Sequence, residues 1–221
     1  MINSSEYYPP NFPPGLLAVP ATEWMYTRSV HSLVGLLTWL PPGSGVEINQ
    51  RSSSVVNNRN ELIEHFLSHR SLEWLLFLDS DMTPEPETAC RLLSHNVDIV
   101  GALYFSRDGR YVPMFSEVDV GFSSVLVSSC NPTDVSASAR DLRQVDWVGT
   151  GCMLIRRRVL EAMRPPYMEF GAPGLGEDVV FCRRARELGF GVYVDASHCV
   201  GHLMTAPVDR RSADAARALR E

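Results

Sequence analysis

The chain of 221 residues contains no lysine, so all 20 of its basic residues are arginines. This absence excludes every chemistry that depends on a lysine side chain, including Schiff-base formation and phosphate binding by a P-loop lysine. A phosphate group bound here must therefore meet arginine side chains, backbone N–H groups or a metal ion. With 26 acidic residues the net charge is −6, which disfavours a general nucleic-acid-binding surface.

Two further absences concern the membrane and the redox environment. No run of about 18 apolar residues occurs, and the opening residues MINSSEYYPPNFPPG lack the basic and apolar regions of a signal peptide. The five cysteines form no CxxC pair, and three of them lie in apolar or amphipathic stretches, which indicates buried free thiols. We therefore expect a cytoplasmic protein, in a reducing compartment, without stable insertion into a membrane.

Short apolar runs alternate with amphipathic stretches in the first half of the chain. Four predicted strands, GLLAVP, GVEI, WLLFL and VDIVGAL, are separated by three predicted helices, the third capped by Thr83. This alternation predicts an α/β fold with a parallel sheet, in which ligands bind beyond the carboxyl ends of the strands. The first helix is expected to bury an apolar face made of Met25, Val30, Leu33, Val34 and Leu37.

The apolar strand WLLFL ends in two aspartates, Asp79 and Asp81, with Ser80 between them. Two carboxylates at the exit of a buried strand repel each other unless a positive group lies between them. In extended backbone, residues i and i+2 point to the same side, so both side chains would face one hard divalent cation, which also takes water and phosphate ligands. The alternative is that the aspartates only cap the next helix or form a turn.

Three weaker signals lie elsewhere in the chain. Glu177 and Asp178 follow a glycine-rich loop and begin a helix, where the helix dipole favours acids whether or not they are catalytic. His198 and His202 follow the last predicted strand, either as metal ligands or as structural histidines. Arg59 interrupts the apolar pattern of the second helix, as a phosphate ligand or as a surface arginine.

The order and spacing of five blocks, WLLFLDSDM, VDIVGALYFSRDG, VGTGCMLIRRRVLEAM, GEDVVFCRRARELGFGVYVD and VGHL, resemble the GT-A glycosyltransferases. The chain looks most similar to small family-2-like members from bacteria and phages, over roughly residues 16–203. The resemblance implies a Rossmann-like, mostly parallel central sheet flanked by helices, with a small antiparallel extension on the substrate side. It also implies a single catalytic domain over 15–205, with a nucleotide-binding half at 15–104 and an acceptor and catalytic half at 105–205. An extended arm at 1–14 and a polar helix or tail at 206–221 would flank this domain.

The resemblance further implies transfer of a sugar from a nucleotide-diphosphate sugar, with a UDP-sugar favoured, to an acceptor hydroxyl. Asp81 of DSD would bind Mn²⁺ or Mg²⁺, and Asp79 would help to hold the metal or the ribose. The cation would bridge the two phosphates and stabilise the leaving diphosphate. His202 would be the third protein ligand, with His198 as the alternative.

In the same family, the aspartate of the motif that GED resembles acts as the base of inverting members. Asp178 would then deprotonate the acceptor hydroxyl, and Glu177 would orient the acceptor or the loop. The resemblance leaves a retaining reaction open. The remaining donor-binding positions would be Pro20, Ala21 and Glu23 for the base and ribose, Arg59 for the diphosphate, and Ser80, Tyr104, Arg107, Gly149, Thr150 and Gly151 around the sugar.

Two other function classes stay open at this point. A nucleotidyltransferase of related architecture would carry a glycine-rich basic loop after the first strand, and VPATEWMYTR lacks it. A binding module for sugar nucleotides or glycans, without turnover, would keep the fold. The acceptor is equally open among glycans, proteins, lipid-linked sugars and modified DNA bases, and the aromatic N-terminal arm leaves a homodimer open.

Overall fold

A computed structural model of the chain describes residues 12–21, 23–108, 110–116 and 141–205. The predicted tail at 206–221 lies outside the described residues, as do all but the last three residues of the predicted arm at 1–14. Residues 117–140 also lie outside them.

Eleven strands and five helices occur in the described residues. The strands are β1 (Leu16–Pro20), β2 (Gly45–Asn49), β3 (Trp74–Leu78), β4 (Met82–Thr83), β5 (Ile99–Leu103), β6 (Phe115–Ser116), β7 (Leu142–Gln144), β8 (Trp147–Val148), β9 (Cys152–Arg156), β10 (Val192–Cys199) and β11 (Gly201–His202). The helices are α1 (Thr27–Leu37), α2 (Val55–Ser68), α3 (Thr88–Ser94), α4 (Arg157–Ala162) and α5 (Glu177–Glu187).

Seven strands form a mostly parallel central sheet in the order β2-β1-β3-β9-β5-β10-β7. Strand β1 pairs in parallel with β2 and β3, and β5 pairs in parallel with β10. Strand β9 lies antiparallel between β3 and β5, and β7 is antiparallel to β10. The predicted α/β class is confirmed, but the sheet is mixed, because a strand from the second half of the chain inserts between two strands of the first half.

Strand β3 is buried on both faces, as its unbroken apolar run predicts. On one face Leu75 and Phe77 pack with residues of α2, and on the other face Trp74 and Leu76 pack with residues of α1 and α3. The strand is therefore packed on both faces. Because Asp79 follows its last residue directly, the backbone position of Asp79 is fixed as well.

Helix α1 buries a face that shares only Leu33 with the predicted one. Leu33 and Leu36 are buried against the sheet, whereas Val30, Val34 and Leu37 are 40%, 56% and 37% exposed. The helix carries two apolar stripes, so periodicity alone did not identify the stripe that faces the core.

Helix α3 begins four residues later than the sequence predicted. Thr83 does not cap it, because Met82 and Thr83 pair with His202 and Gly201 as strands β4 and β11. The two prolines that follow disfavour helix at the residues before them, and the helix begins at Thr88.

The cysteines and the helices bear on the environment expected for the chain. Among the described cysteines, Cys90, Cys152 and Cys182 are buried free thiols, and Cys199 is free and exposed. In the part of the chain that is described, no helix is both long and apolar enough to cross a membrane.

Two adjacent leucines of α1 test this packing. We expect Leu36→Ala, at a fully buried position, to lower the free energy of unfolding by about 2–5 kcal/mol, because it leaves a cavity under the helix. Leu37→Ala, on the exposed stripe, serves as the matched control and should cost less than about 1 kcal/mol. Urea denaturation measures both, and equal losses would contradict the assigned face.

Candidate active site

A cleft of about 300 Å³ opens where β3 and β5 end. Asp79 follows β3 directly and Tyr104 follows β5 directly. Helix α5 contributes Glu177 and Asp178, and β11 contributes His202. Nine of the lining residues were expected from the sequence, and Ser106, Asp108 and Met114 were not. The lining residues are Arg59, Asp79, Asp81, Tyr104, Ser106, Arg107, Asp108, Met114, Thr150, Glu177, Asp178 and His202.

Arg59 joins two carboxylates at the bottom of this cleft. Its Nη2 donates to Asp79 Oδ1 at 2.6 Å, and its Nη1 donates to Glu177 Oε1. The residue is only 2% exposed, so the interpretation as a surface arginine is wrong. Burial lowers the pKa of Arg59, but the carboxylates of Asp79 and Glu177 outweigh burial and raise the pKa above its ordinary value. The guanidinium therefore stays charged and links the end of β3 to the start of α5.

The beginning of α2 determines where Arg59 points. The Ser54 side chain caps the helix by accepting from Asn57 N–H. The buried Asn58 side chain donates to Ala21 O at 3.3 Å and to Ser52 O at 2.8 Å. These bonds connect the first turn of α2 to the loops after β1 and β2, and Arg59, the next residue, lines the cleft.

The DSD segment is a turn and not an extended strand. Strand β3 ends at Leu78, and Met82 N–H donates to Asp79 O at 3.0 Å across Ser80 and Asp81. The premise that both carboxylates point to one side of an extended chain is therefore wrong. Asp79 turns to Arg59, whereas Asp81 faces His202 and Arg107.

Asp81 and His202 form the second pair of the cleft. His202 Nε2 lies 3.5 Å from Asp81 Oδ2, and His202 Nδ1 donates to Phe105 O at 2.9 Å. Burial lowers the pKa of His202, but its bonds to Asp81 and Phe105 raise it above its usual value overall. Burial raises the pKa of Asp81, and the bond to His202 with the charge of Arg107 brings it below its usual value.

His198 does not reach the cleft. It is 7% exposed, and its Nε2 is hydrogen-bonded to Thr88 Oγ1 at 2.8 Å. Of the two histidines considered from the sequence, only His202 faces the acids.

Within the described residues, no group of three or more His, Cys, Asp or Glu side chains is arranged to hold a metal ion. The Asp81 and His202 pair nevertheless fits a two-ligand site. Neighbouring ligands of an octahedral ion with bonds of about 2.1 Å lie about 3 Å apart, close to the 3.5 Å seen here. His202 also donates its other ring N–H to a backbone carbonyl, as metal-binding histidines do.

Asp178 lies at the first turn of α5 beside Glu177. Burial, with the charge of Glu177 in second place, raises the pKa of Asp178 to about 6. Val179 N–H donates to Asp178 Oδ1 at 2.8 Å and holds the carboxylate against the helix end. A Cβ at Gly176 would come within 2.5 Å of that same oxygen, so the glycine leaves the space that the carboxylate occupies.

Tyr104 fills the space between two glycines expected at the sugar pocket. Gly151 N–H donates to Tyr104 Oη at 3.0 Å, and a Cβ at Gly149 would lie 2.1 Å from that oxygen. Burial raises the pKa of Tyr104 well above its usual value. Both glycines are buried beneath the ring, and Thr150 is the residue of this turn that lines the cleft.

A second cleft, of about 550 Å³, lies after strands β1 and β2. Glu23 lines it as expected, whereas Pro20 and Ala21 are buried. Trp24, which is 62% exposed, and Arg51 also line this cleft and were not predicted from the sequence. Trp24 stands directly beside Glu23 in the loop after a predicted strand, and an aromatic residue in such a loop is the signal that would have found it.

Comparison with solved structures identifies the fold as GT-A. The chain is similar to A197 from STIV, with 19% identity and a TM-score of 0.62 over 87% of this chain and 86% of that one. It is also similar to GalNAc-T7, solved with UDP, GalNAc and Mn²⁺, with 9% identity and a TM-score of 0.52. That match covers 88% of this chain but only 44% of GalNAc-T7.

A family comparison gives the narrower identification. The model described as glycosyltransferase like family 2 matches residues 41–220, so the chain belongs to this family of glycosyltransferases. A search of curated proteins gave no match. The resemblance read from the sequence is thereby confirmed at the level of fold and family.

The raised pKa of Asp178 predicts a stability effect. Because folding shifts this pKa upward to about 6, the native state favours the protonated acid and loses stability as pH rises from about 4 through about 6. We expect Asp178→Asn to be more stable than the parent protein by on the order of 2 kcal/mol at pH 7.5, and equally stable near pH 4. Urea denaturation of both proteins at the two pH values measures this difference, and a gain independent of pH would contradict the shifted pKa.

Proposed function

We propose that the protein is a metal-dependent hexosyltransferase that moves a sugar from a nucleotide-diphosphate sugar, with a UDP-sugar favoured, to an acceptor hydroxyl. The observation that carries the proposal is the separation of two acidic environments in one cleft. Asp81 has a lowered pKa and faces His202, and Asp178 has a pKa raised to about 6. Two carboxylates tuned in opposite directions suit two different roles, a cation ligand and a general base.

Asp81 and His202 are the residues that would hold Mn²⁺ or Mg²⁺. The bound ion supplies charge stabilisation for the departing nucleotide diphosphate. Hard cations of this kind are held by one or two carboxylates together with substrate phosphates, which agrees with a site of two protein ligands. GalNAc-T7, which shares the fold, was solved with UDP and Mn²⁺, and this supports the choice of ion and donor.

Asp178 would remove the proton of the acceptor hydroxyl. The acceptor oxygen would form a bond to the anomeric carbon as the bond from that carbon to the diphosphate oxygen breaks, with inversion at the carbon. A base with a pKa of about 6 is ionised at neutral pH and still accepts a proton readily. Glu177, bonded to Arg59, would hold the helix end that carries this base.

The nucleotide end of the donor would lie in the second cleft. Trp24 offers an exposed aromatic face for a base, and Arg51 and Glu23 offer polar contacts for the base and ribose. Arg59 lines the first cleft and Asn58, its neighbour, supports the loops of the second. The start of α2 would thereby align the two ends of the donor.

Calorimetric titration of UDP and GDP, with Mn²⁺ and with EDTA, tests this proposal. We expect one nucleotide to bind only with the metal, and Asp81→Asn to abolish that binding because it removes the charged ligand. Asp178→Asn should retain the binding but lose metal-dependent hydrolysis of the matching nucleotide sugar by at least about 100-fold. Glu161→Gln, at an exposed carboxylate of α4, is the control that should leave both unchanged.

Each failure has a distinct meaning. If neither nucleotide bound under any condition, the proposed donor site would be wrong. If the metal-dependent nucleotide bound but no sugar donor were hydrolysed or transferred, the protein would be a binding module. Unchanged turnover in Asp178→Asn would remove Asp178 from the role of base.

A further inference from the structure

The Arg107 side chain contacts a carboxylate oxygen of Asp81 that would be a ligand of a metal ion. Arg107 Nη1 lies 2.5 Å from Asp81 Oδ2, and His202 Nε2 faces this same oxygen at 3.5 Å. A divalent ion held by Asp81 Oδ2 and His202 Nε2 would lie close to the Arg107 guanidinium. The guanidinium and the ion therefore compete for one place, and their like charges repel at such a distance.

Arg107 is free to leave this place without a rearrangement of the backbone. Its side chain is 50% exposed, whereas the Arg59 side chain is 3% exposed and held by two carboxylates. The hairpin that carries Arg107 is closed by bonds from Ser106 N to Val112 O at 2.8 Å and from Met114 N to Tyr104 O at 2.9 Å. A rotation of the side chain alone is therefore enough to release Asp81.

The neighbouring charged residues offer Arg107 little alternative. Asp108, the adjacent carboxylate, already accepts from Ser106 Oγ and from Arg110. A diphosphate bound beside the metal would give the released guanidinium two anionic oxygens, which arginine binds in a bidentate manner. In a chain without lysine, an arginine is the only basic side chain that retains its charge regardless of pH.

We propose that Arg107 holds the place of the divalent cation in the free protein, and that it moves onto the diphosphate when metal and diphosphate enter together. This inference rests on the proposed function. The metal ion and the diphosphate would then strengthen each other's binding, because the diphosphate gives the displaced guanidinium a partner and the metal ion frees the guanidinium to bind it. The two binding free energies are coupled by the same amount in both directions. The free ion alone binds weakly, and the metal–diphosphate complex is the species that the site selects.

Arg107 and an exposed arginine outside the cleft provide a matched test. The probes are Mn²⁺ alone and a preformed complex of Mn²⁺ with inorganic pyrophosphate, titrated by calorimetry and by the electron paramagnetic resonance of the ion. We expect Arg107→Gln to bind Mn²⁺ alone about two- to fivefold more tightly than the parent protein, because a half-exposed ion pair no longer competes. The same variant should bind the complex about tenfold more weakly, because a charged contact to phosphate is lost.

Arg158→Gln is the control, because the exposed Arg158 side chain pairs with Asp98, which is not among the residues that line the cleft. It should leave both affinities unchanged. A loss of structure would weaken the binding of both probes, so changes of opposite sign in the two affinities would not follow from it. Pyrophosphate is used because its binding does not depend on which nucleotide base the donor carries. The inference is overturned if Arg107→Gln leaves the affinity for Mn²⁺ alone unchanged or weakens it.

A third protein, Asp81→Asn, separates failure of this inference from failure of the proposed function. Mn²⁺ binding that depends on Asp81 but not on Arg107 would overturn only the role of Arg107. Mn²⁺ binding that survives Asp81→Asn, or no Mn²⁺ binding in any of the proteins, would overturn the metal site and this inference together.

Discussion

The buried guanidinium of Arg59 is the interaction on which the arrangement of the cleft depends. It bonds to Asp79 at the end of β3 and to Glu177 at the start of α5, two residues 98 positions apart in the chain. Removing one partner of a buried ion pair leaves an uncompensated charge, which is costly, so the three side chains stabilise one another only as a set. These two bonds fix the distance between the two acidic segments. The Nε atom of Arg59 is buried without a hydrogen-bond partner among the described residues.

The consequence is a division of roles between neighbouring acids. Asp79 and Glu177 are both bonded to Arg59. Asp81 follows Asp79 by two residues and Asp178 follows Glu177 by one, and both of these acids line the cleft. Asp81 lies among positive groups and has a lowered pKa, whereas Asp178 is buried beside another acid and has a raised one. Two opposite acid environments thus lie a short distance apart, and this arrangement suits the proposed metal ligand and the proposed base.

Much of this fold followed from the sequence, because the alternation of strands and helices and the order of the motif blocks are local or sequential properties. The structure brings nine of the residues named from the sequence and the resemblance into one cleft. Asp79 and Tyr104 meet there because both follow strands that run in the same direction. What sequence could not supply was three-dimensional: the turn at Ser80, the pairing of Arg59 with Glu177, and the packing of His198 against Thr88. The exposed stripe of α1 was misassigned because two apolar stripes satisfied the same periodicity.

The most direct test is an anomalous diffraction experiment on crystals grown with Mn²⁺ and pyrophosphate. The expected result is a manganese peak at bonding distance from Asp81 Oδ2 and His202 Nε2, with Arg59 still between Asp79 and Glu177. A manganese ion bound by Asp79, with Arg59 displaced from its carboxylates, would contradict the division of roles. So would a peak at a site remote from Asp81.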